Sequence, residues 1–441
     1  MRLKVASYWD ALSSSYWFVP ALMTLGAIML SFVIVRVDQQ NELGWLRNLG
    51  FVFLNQPDGA RSLLSTVAGA LIGVAGTTFS ITLAVLTLTS SQFGPRLLNT
   101  FMRDKGNQIV LGTFVATSLY CLLVLRTIRD ASETAGPAFV PHLAVTVAVL
   151  FTVLSLAVFI YFIHHTANSI QVATILARIA DDLERLIYKL YPEAAEPNAA
   201  PEPLLPPSPQ ATQAVVLRAV QSGYLQAVDE PGLLAFAKKH HLFVRSLHLP
   251  GTFVIEGRPI AYLWPDAALA EGVAERLQTN FTFGARRTPV QDLDFLFCQL
   301  TEVALRALSP GINDPVTAMR CVDRIGQGLS LLTSRKPRPV LRYDAAGHVR
   351  LLLPEFRLET LVASTLGAIR RFSGDNLLVA LHLLDTTQML LEVTEPTALR
   401  RALLHEAKLV CETAKPVLLD ADYGRLDARY QEVTSDVPSV H

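Results

Sequence analysis

Between Arg61 and Arg96 the chain carries no charged side chain. The stretch reads SLLSTVAGALIGVAGTTFSITLAVLTLTSSQFGP. A helix needs roughly 20 predominantly apolar residues to cross a bilayer, and this run is longer than that. At helical spacing Thr66, Gly69, Gly73, Gly76, Thr77, Ser80, Ala84, Thr87 and Ser91 share one face. That face bears only small or hydroxyl side chains, while Leu64, Val67, Leu71, Ile72, Val74, Phe79, Ile81 and Leu83 occupy the rest. Two roles suit such a stripe. Small residues let helix backbones approach closely in lipid, and Gly69 and Gly73 stand at the small-xxx-small spacing. Alternatively, hydroxyls and exposed glycine backbone line a wet path for a small ion. Hydroxyls by themselves do not decide between them, because Ser and Thr in a helix can bond their own backbone carbonyls.

Three further stretches are long enough to span: Trp17 to Val35, Ile109 to Leu125 and Leu143 to Ile163. WLRNLGFVFLN, from Trp45 to Asn55, is too short to cross and reads as an interfacial or re-entrant segment. Four spans put both termini on one side. Arg2, Lys4, Arg96, Arg103, Lys105, Arg178, Arg185 and Lys189 then face Arg36, Arg47, Arg61, Arg126 and Arg129 across the membrane. The basic excess places both termini in the cytoplasm of a bacterial inner membrane, with Arg96, Arg103 and Lys105 at a cytoplasmic mouth.

The whole chain is 51% hydrophobic, 17% charged and formally neutral. Such a balance fits a membrane part joined to a soluble part, and lacks the basic face that nucleic-acid binding requires. None of the four cysteines forms a CxxC or metal-type spacing, so no metal and no cofactor is expected.

The fold class expected is an α-helical integral membrane domain of four transmembrane helices over residues 1–165, followed by an α+β soluble domain. An amphipathic helix over 166–190 extends the fourth span, with Ile175, Ile179, Leu183, Leu186 and Leu190 on one side, open to pairing with copies in other subunits. A Pro-rich linker covers 191–210, a small β-rich module 211–266, a mostly helical bundle with a β-hairpin 267–424, and a flexible tail 425–441. Within the β-rich module PGTFVIEGRPIA looks like the turn of lipoyl- or biotinyl-type barrels, without the lysine that would carry a cofactor. Asp292 and Asp314 precede helices as N-caps, the second followed by Pro315 at the first helical position.

The span sequence STVAGALIGVAGTTFSITLAVLTLTSSQFGPRLLNTFMRDKGNQ, with RTPVQDLDF and ALSPGINDPVTA, resembles the bacterial predicted membrane protein family catalogued as domain of unknown function 2254. The resemblance implies an N-terminal membrane part and a soluble C-terminal part, and no established activity.

No GxSxG, HExxH, P-loop or dinucleotide glycine pattern occurs, so an enzyme is not expected. Arg286, Arg287, Asp292, Asn313 and Asp314 form the best polar cluster, either as helix caps with paired arginines or as a site for a small anionic or polar ligand that couples to the spans. The leading functional expectation is a homo-oligomeric channel or conduit for small ions in the lipid bilayer, with the small and hydroxyl stripe lining its path. The rival is a non-conducting membrane-anchored sensor or scaffold whose soluble domain binds a ligand or partner.

Overall fold

The computed structural model describes residues 15–40, 56–93, 104–130, 139–169, 171–191, 214–265, 272–335, 339–395 and 398–435. The expected interfacial segment, the Pro-rich linker, Arg96 and Arg103 lie outside the described residues. The chain divides into two compact units, residues 1–174 and 175–441.

The first unit holds α1 (Phe18–Gln39), α2 (Pro57–Phe93), α3 (Lys105–Leu125) and α4 (His142–Ser169), all long and apolar enough to cross a membrane. α3 is the central helix and packs against the other three. Gly112 makes one approach possible, since a Cβ there would stand 3.1 Å from the Pro20 backbone on α1. α2 turns Ala60, Leu64, Ala68, Leu71, Ala75, Thr78 and Thr82 inward, a ridge at three- and four-residue steps. Polar side chains tie the helix ends. Asp38 at the end of α1 accepts the Leu143 and Ala144 N–H groups of α4 at 3.1 and 3.0 Å, where the first-turn donors have no helical partner. Asp104 caps α3 through the Gly106 N–H and also takes His165 Nε2 from α4 at 3.0 Å.

The fourth helix does not run on unbroken. It ends at Ser169, and α5 (Val172–Leu190) begins afresh after turn bonds from Gln171 N–H to Asn168 O and from Thr174 N–H to Gln171 O. The polar pair Asn168 and Ser169 offers the backbone local alternatives to helix. The apolar face of α5 packs within its own chain: Leu183 lies against Gly328, and Tyr188 lies under Arg335. Pairing of that face with other subunits is thereby corrected, because the chain itself covers it.

In the second unit the strands β1 (Val215–Arg218), β2 (Gly223–Val228), β3 (Leu242–Ser246), β4 (Phe253–Val254), β5 (Pro259–Pro265), β6 (Phe281–Gly284), β7 (Leu341–Tyr343) and β8 (Val349–Leu352) form two sheets. One has the order β1-β5-β3-β8-β7 and the other β4-β2-β6. Every pair is antiparallel except β3 with β8, where Val244 stands opposite Leu351. The β-rich module is therefore not closed over 211–266. Its strands need β6 and β8 from further along the chain, because an unpaired edge leaves a row of N–H and C=O groups unsatisfied. PGTFVIEGRPIA feeds one strand to each sheet, so the barrel likeness does not hold.

The helices are α6 (Glu230–Lys239), α7 (Val273–Gln278), α8 (Leu293–Ala307), α9 (Pro315–Thr333), α10 (Leu358–Ser364), α11 (Leu366–Phe372), α12 (Leu377–Val393), α13 (Ala398–Ala414) and α14 (Asp420–Ser435). α10 and α11 are separated at Thr365, whose φ of −109° and ψ of −82° are not helical. The tail after Tyr423 is helical through Ser435 rather than frayed, because Leu426 and Val433 are buried.

Candidate functional site

A cavity of about 990 Å³ opens in the second unit, at the upper end of the range for small-molecule sites. It lies where the parallel strands β3 and β8 end, at Ser246 and Leu353. Carboxyl ends of parallel strands are where open α/β sheets bind ligands. Around that point stand the Pro250–Gly251 turn, the start of α8 at Asp292, the end of α9 at Arg335 and the first turn of α10.

Asp292 is 2% exposed and organises one wall. It caps α8 by accepting the Phe295 N–H at 3.0 Å, and it receives Arg287 Nε at 2.7 Å and Nη2 at 2.8 Å. The same guanidinium reaches Asp294 at 2.9 Å. Burial raises the Asp292 carboxyl above its ordinary value, against the pull of Arg287. Burial would lower the Arg287 guanidinium, but its hydrogen bonds to Asp292 and Asp294 outweigh that and hold it above its ordinary value, so it stays charged. Gly251 sits directly on this carboxylate. Its φ is +97°, and any Cβ would collide with the Asp292 side chain.

Arg335 closes the opposite wall. It donates to Tyr191 O at the end of α5, and its guanidinium lies 4.1 Å from the Tyr188 ring centroid. Gln291 also lines the cavity, but both ends of its amide are used by the Val228 backbone, at 2.9 and 3.1 Å. Ser246 differs from these neighbours: it is 3% exposed, and its hydroxyl oxygen has no hydrogen-bond partner among the described residues.

Of the five residues grouped from the sequence, Arg287 and Asp292 line this cavity. The other three do not join them. The Arg286 side chain is exposed and only its carbonyl is engaged, by Gln226. Asn313 is exposed with φ of +48°. Asp314 caps α9 through the Thr317 N–H and hydroxyl; partial burial opposes its ionisation, but those hydrogen bonds hold its carboxyl below the ordinary value. Caps explain both acids, as their place before helices implied. Ser246 and Arg335 escape sequence reasoning because neither lies in a motif. The Pro250–Gly251 turn was the one legible signal nearby.

In the first unit Thr66, Gly69, Gly73, Gly76, Thr77, Ser80, Thr87 and Ser91 are all exposed, facing away from α3. Gly69, Gly73 and Gly76 have no atom within 4 Å of where a Cβ would stand. The hydroxyls of Thr77, Ser80, Thr87 and Ser91 donate to their own helix, at Gly73, Gly76, Leu83 and Leu88 carbonyls. The stripe thus makes no close packing within its own unit. Lys105 is exposed at the first turn of α3.

Residues 13–389 match the family model described as Predicted membrane protein (DUF2254). The chain belongs to this family. Two mycobacterial proteins share its sequence over 373 residues, which is 84% of this chain and 71% of each relative. An uncharacterized protein of Mycobacterium tuberculosis (strain CDC 1551 / Oshkosh) is 34% identical, and one of Mycobacterium bovis is 33% identical. No solved structure matches the chain. The DUF2254 match spans the four apolar helices and most of the cavity walls, ending within α12 ahead of α13 and α14.

Proposed function

We propose that this DUF2254 protein is a membrane-anchored receptor whose second unit binds a small molecule in the cavity beside Ser246 and Asp292. The observation that carries this reading is the cavity itself, large, mostly apolar in its lining, with a buried hydroxyl left without a partner. It is read as a binding protein and not an enzyme, since Arg287 and Asp292 are locked to each other and to α8. The apolar helices hold it in an inner membrane, with both termini cytoplasmic on the basic-residue count. The test is a panel of small organic ions and amphiphiles scored by thermal unfolding of the full chain in nanodiscs. A true ligand at about 100 times its Kd should add about 2.7 kcal/mol of stability. Filling the cavity from its exposed rim with Ser364→Trp should abolish that gain. A panel without effect, or gains that persist in Ser364→Trp, would end the reading.

The exposed stripe of α2 favours a second reading, a homo-oligomer whose small and hydroxyl faces line an ion path. Purified protein in liposomes should then pass small ions. Gly73→Leu and Ser80→Leu should abolish that flux while the protein still assembles, because a leucine on this face narrows the path. Undiminished flux in both variants would exclude the stripe as a lining.

A further inference from the structure

The charge and chemistry of the cavity walls say what it should hold, on the reading that it is a ligand site. Of its three described guanidiniums, Arg287 and Arg335 are held by protein groups, while Arg357 is exposed. Arg287 serves both Asp292 and Asp294, Arg357 stands 3.5 Å from Glu355, and Arg335 is held by the Tyr191 carbonyl and the Tyr188 ring. At Arg287 an incoming phosphate or carboxylate would have to displace a protein carboxylate.

Carboxylates are in excess. Among the described lining residues Glu230, Asp292, Asp294, Glu355, Glu359 and Glu395 outnumber the guanidiniums two to one. Glu359 and Glu395 make no ion pair among the described residues. This excess leaves the walls net acidic, which favours ions of the opposite sign. Tyr191 and Phe356 are also among the lining residues, and aromatic side chains attract organic cations. Leucines, prolines and valines supply the apolar part of the wall, which suits a hydrocarbon body, beside His248 and several Ser and Thr residues. Ser246 lies at this wall almost fully buried, its hydroxyl without a partner among the described residues.

We infer that the cavity takes a small organic cation: an ammonium or guanidinium compound with an apolar or aromatic body, its charge toward the carboxylates. Selectivity against anions of the same size follows from the same walls.

The experiment uses the full chain in nanodiscs with Ser246→Cys, labelled by the small neutral reagent methyl methanethiosulfonate and followed by peptide mass spectrometry. Cys121, Cys321 and Cys411 are buried and Cys298 is partly exposed, so the introduced thiol is told apart by its peptide. The probes are benzyltrimethylammonium and benzenesulfonate, of like size and opposite charge. A millimolar Kd is modest for such a molecule, and at about 10 mM it gives about tenfold slower labelling. Benzyltrimethylammonium is expected to slow labelling by about that factor and benzenesulfonate to leave it unchanged. Slowing by benzenesulfonate, or by neither probe, overturns the cation assignment while leaving the cavity open as a site. An introduced thiol that the neutral reagent cannot reach overturns the cavity as a ligand site altogether. Ser364→Cys, on the exposed rim of the same cavity, gives the same reading should the buried substitution fail to fold.

Discussion

Asp292→Ala should lower the stability of the second unit by about 3 kcal/mol, seen as a fall of about 10 °C in its unfolding transition. Two losses add. The Phe295 N–H at the start of α8 loses its cap, worth about 1 kcal/mol. Arg287, whose side chain is 19% exposed, loses both bonds to Asp292 and keeps only Asp294. Removing one partner of a largely buried ion pair costs more than the pair itself contributes, because the remaining charge is left without compensation. Asp292→Asn separates the two effects. It retains an acceptor for Phe295 but not the charge, so its loss should be smaller by about 1 kcal/mol. Thermal unfolding of the full chain in nanodiscs measures both. An alanine variant as stable as the parent would show that Arg287 and Asp294 hold this wall unaided.

Glu406→Ala should cost about 3 kcal/mol by the same physics at a second place. Arg370 on α11 donates Nε to Glu406 on α13 at 2.9 Å, and its Nη1 reaches the Thr413 hydroxyl at 2.8 Å. The two side chains are 11% and 10% exposed. Gly367 makes room for them, since a Cβ there would stand 2.8 Å from Glu406 Oε1. Replacing both partners, as Arg370→Leu with Glu406→Leu, should recover most of the loss, because two apolar side chains leave no buried charge behind. A double variant as unstable as Glu406→Ala would place the effect in packing between α11 and α13, and not in the uncompensated guanidinium.

Both pairs show why helix starts were legible and the site was not. Asp292 and Asp314 announce α8 and α9 because capping is local: the side chain serves an N–H three residues on. What Asp292 does besides capping depends on Gly251, some forty residues earlier in the chain, which only the return of β3 and its turn brings onto the carboxylate. Nothing within a helical turn of Ser246 announces that its hydroxyl is buried beside a void. The break at Thr365 and the burial of Leu426 and Val433 were likewise decided by neighbours distant in sequence.

The membrane part divides in the same way. The lengths and apolar content of the four spans follow from the bilayer's thickness and the need to satisfy backbone groups within each helix, both of which act on a single stretch of chain. The small and hydroxyl stripe of α2 was equally plain as a periodicity. Its direction was not. The periodicity distinguishes two faces but cannot say which one meets α3. The structure turns Leu64 and Leu71 inward and leaves Gly69, Gly73 and Ser80 outward, because α3 offers α2 a surface on which the larger side chains are buried. Spans, caps, turns and the order of strands and helices were thus determined by the sequence alone, being set by interactions within a few residues. The pairing of β3 with β8, the cavity at their ends and the open face of α2 were decided only by tertiary structure, where contacts join residues that no local pattern relates.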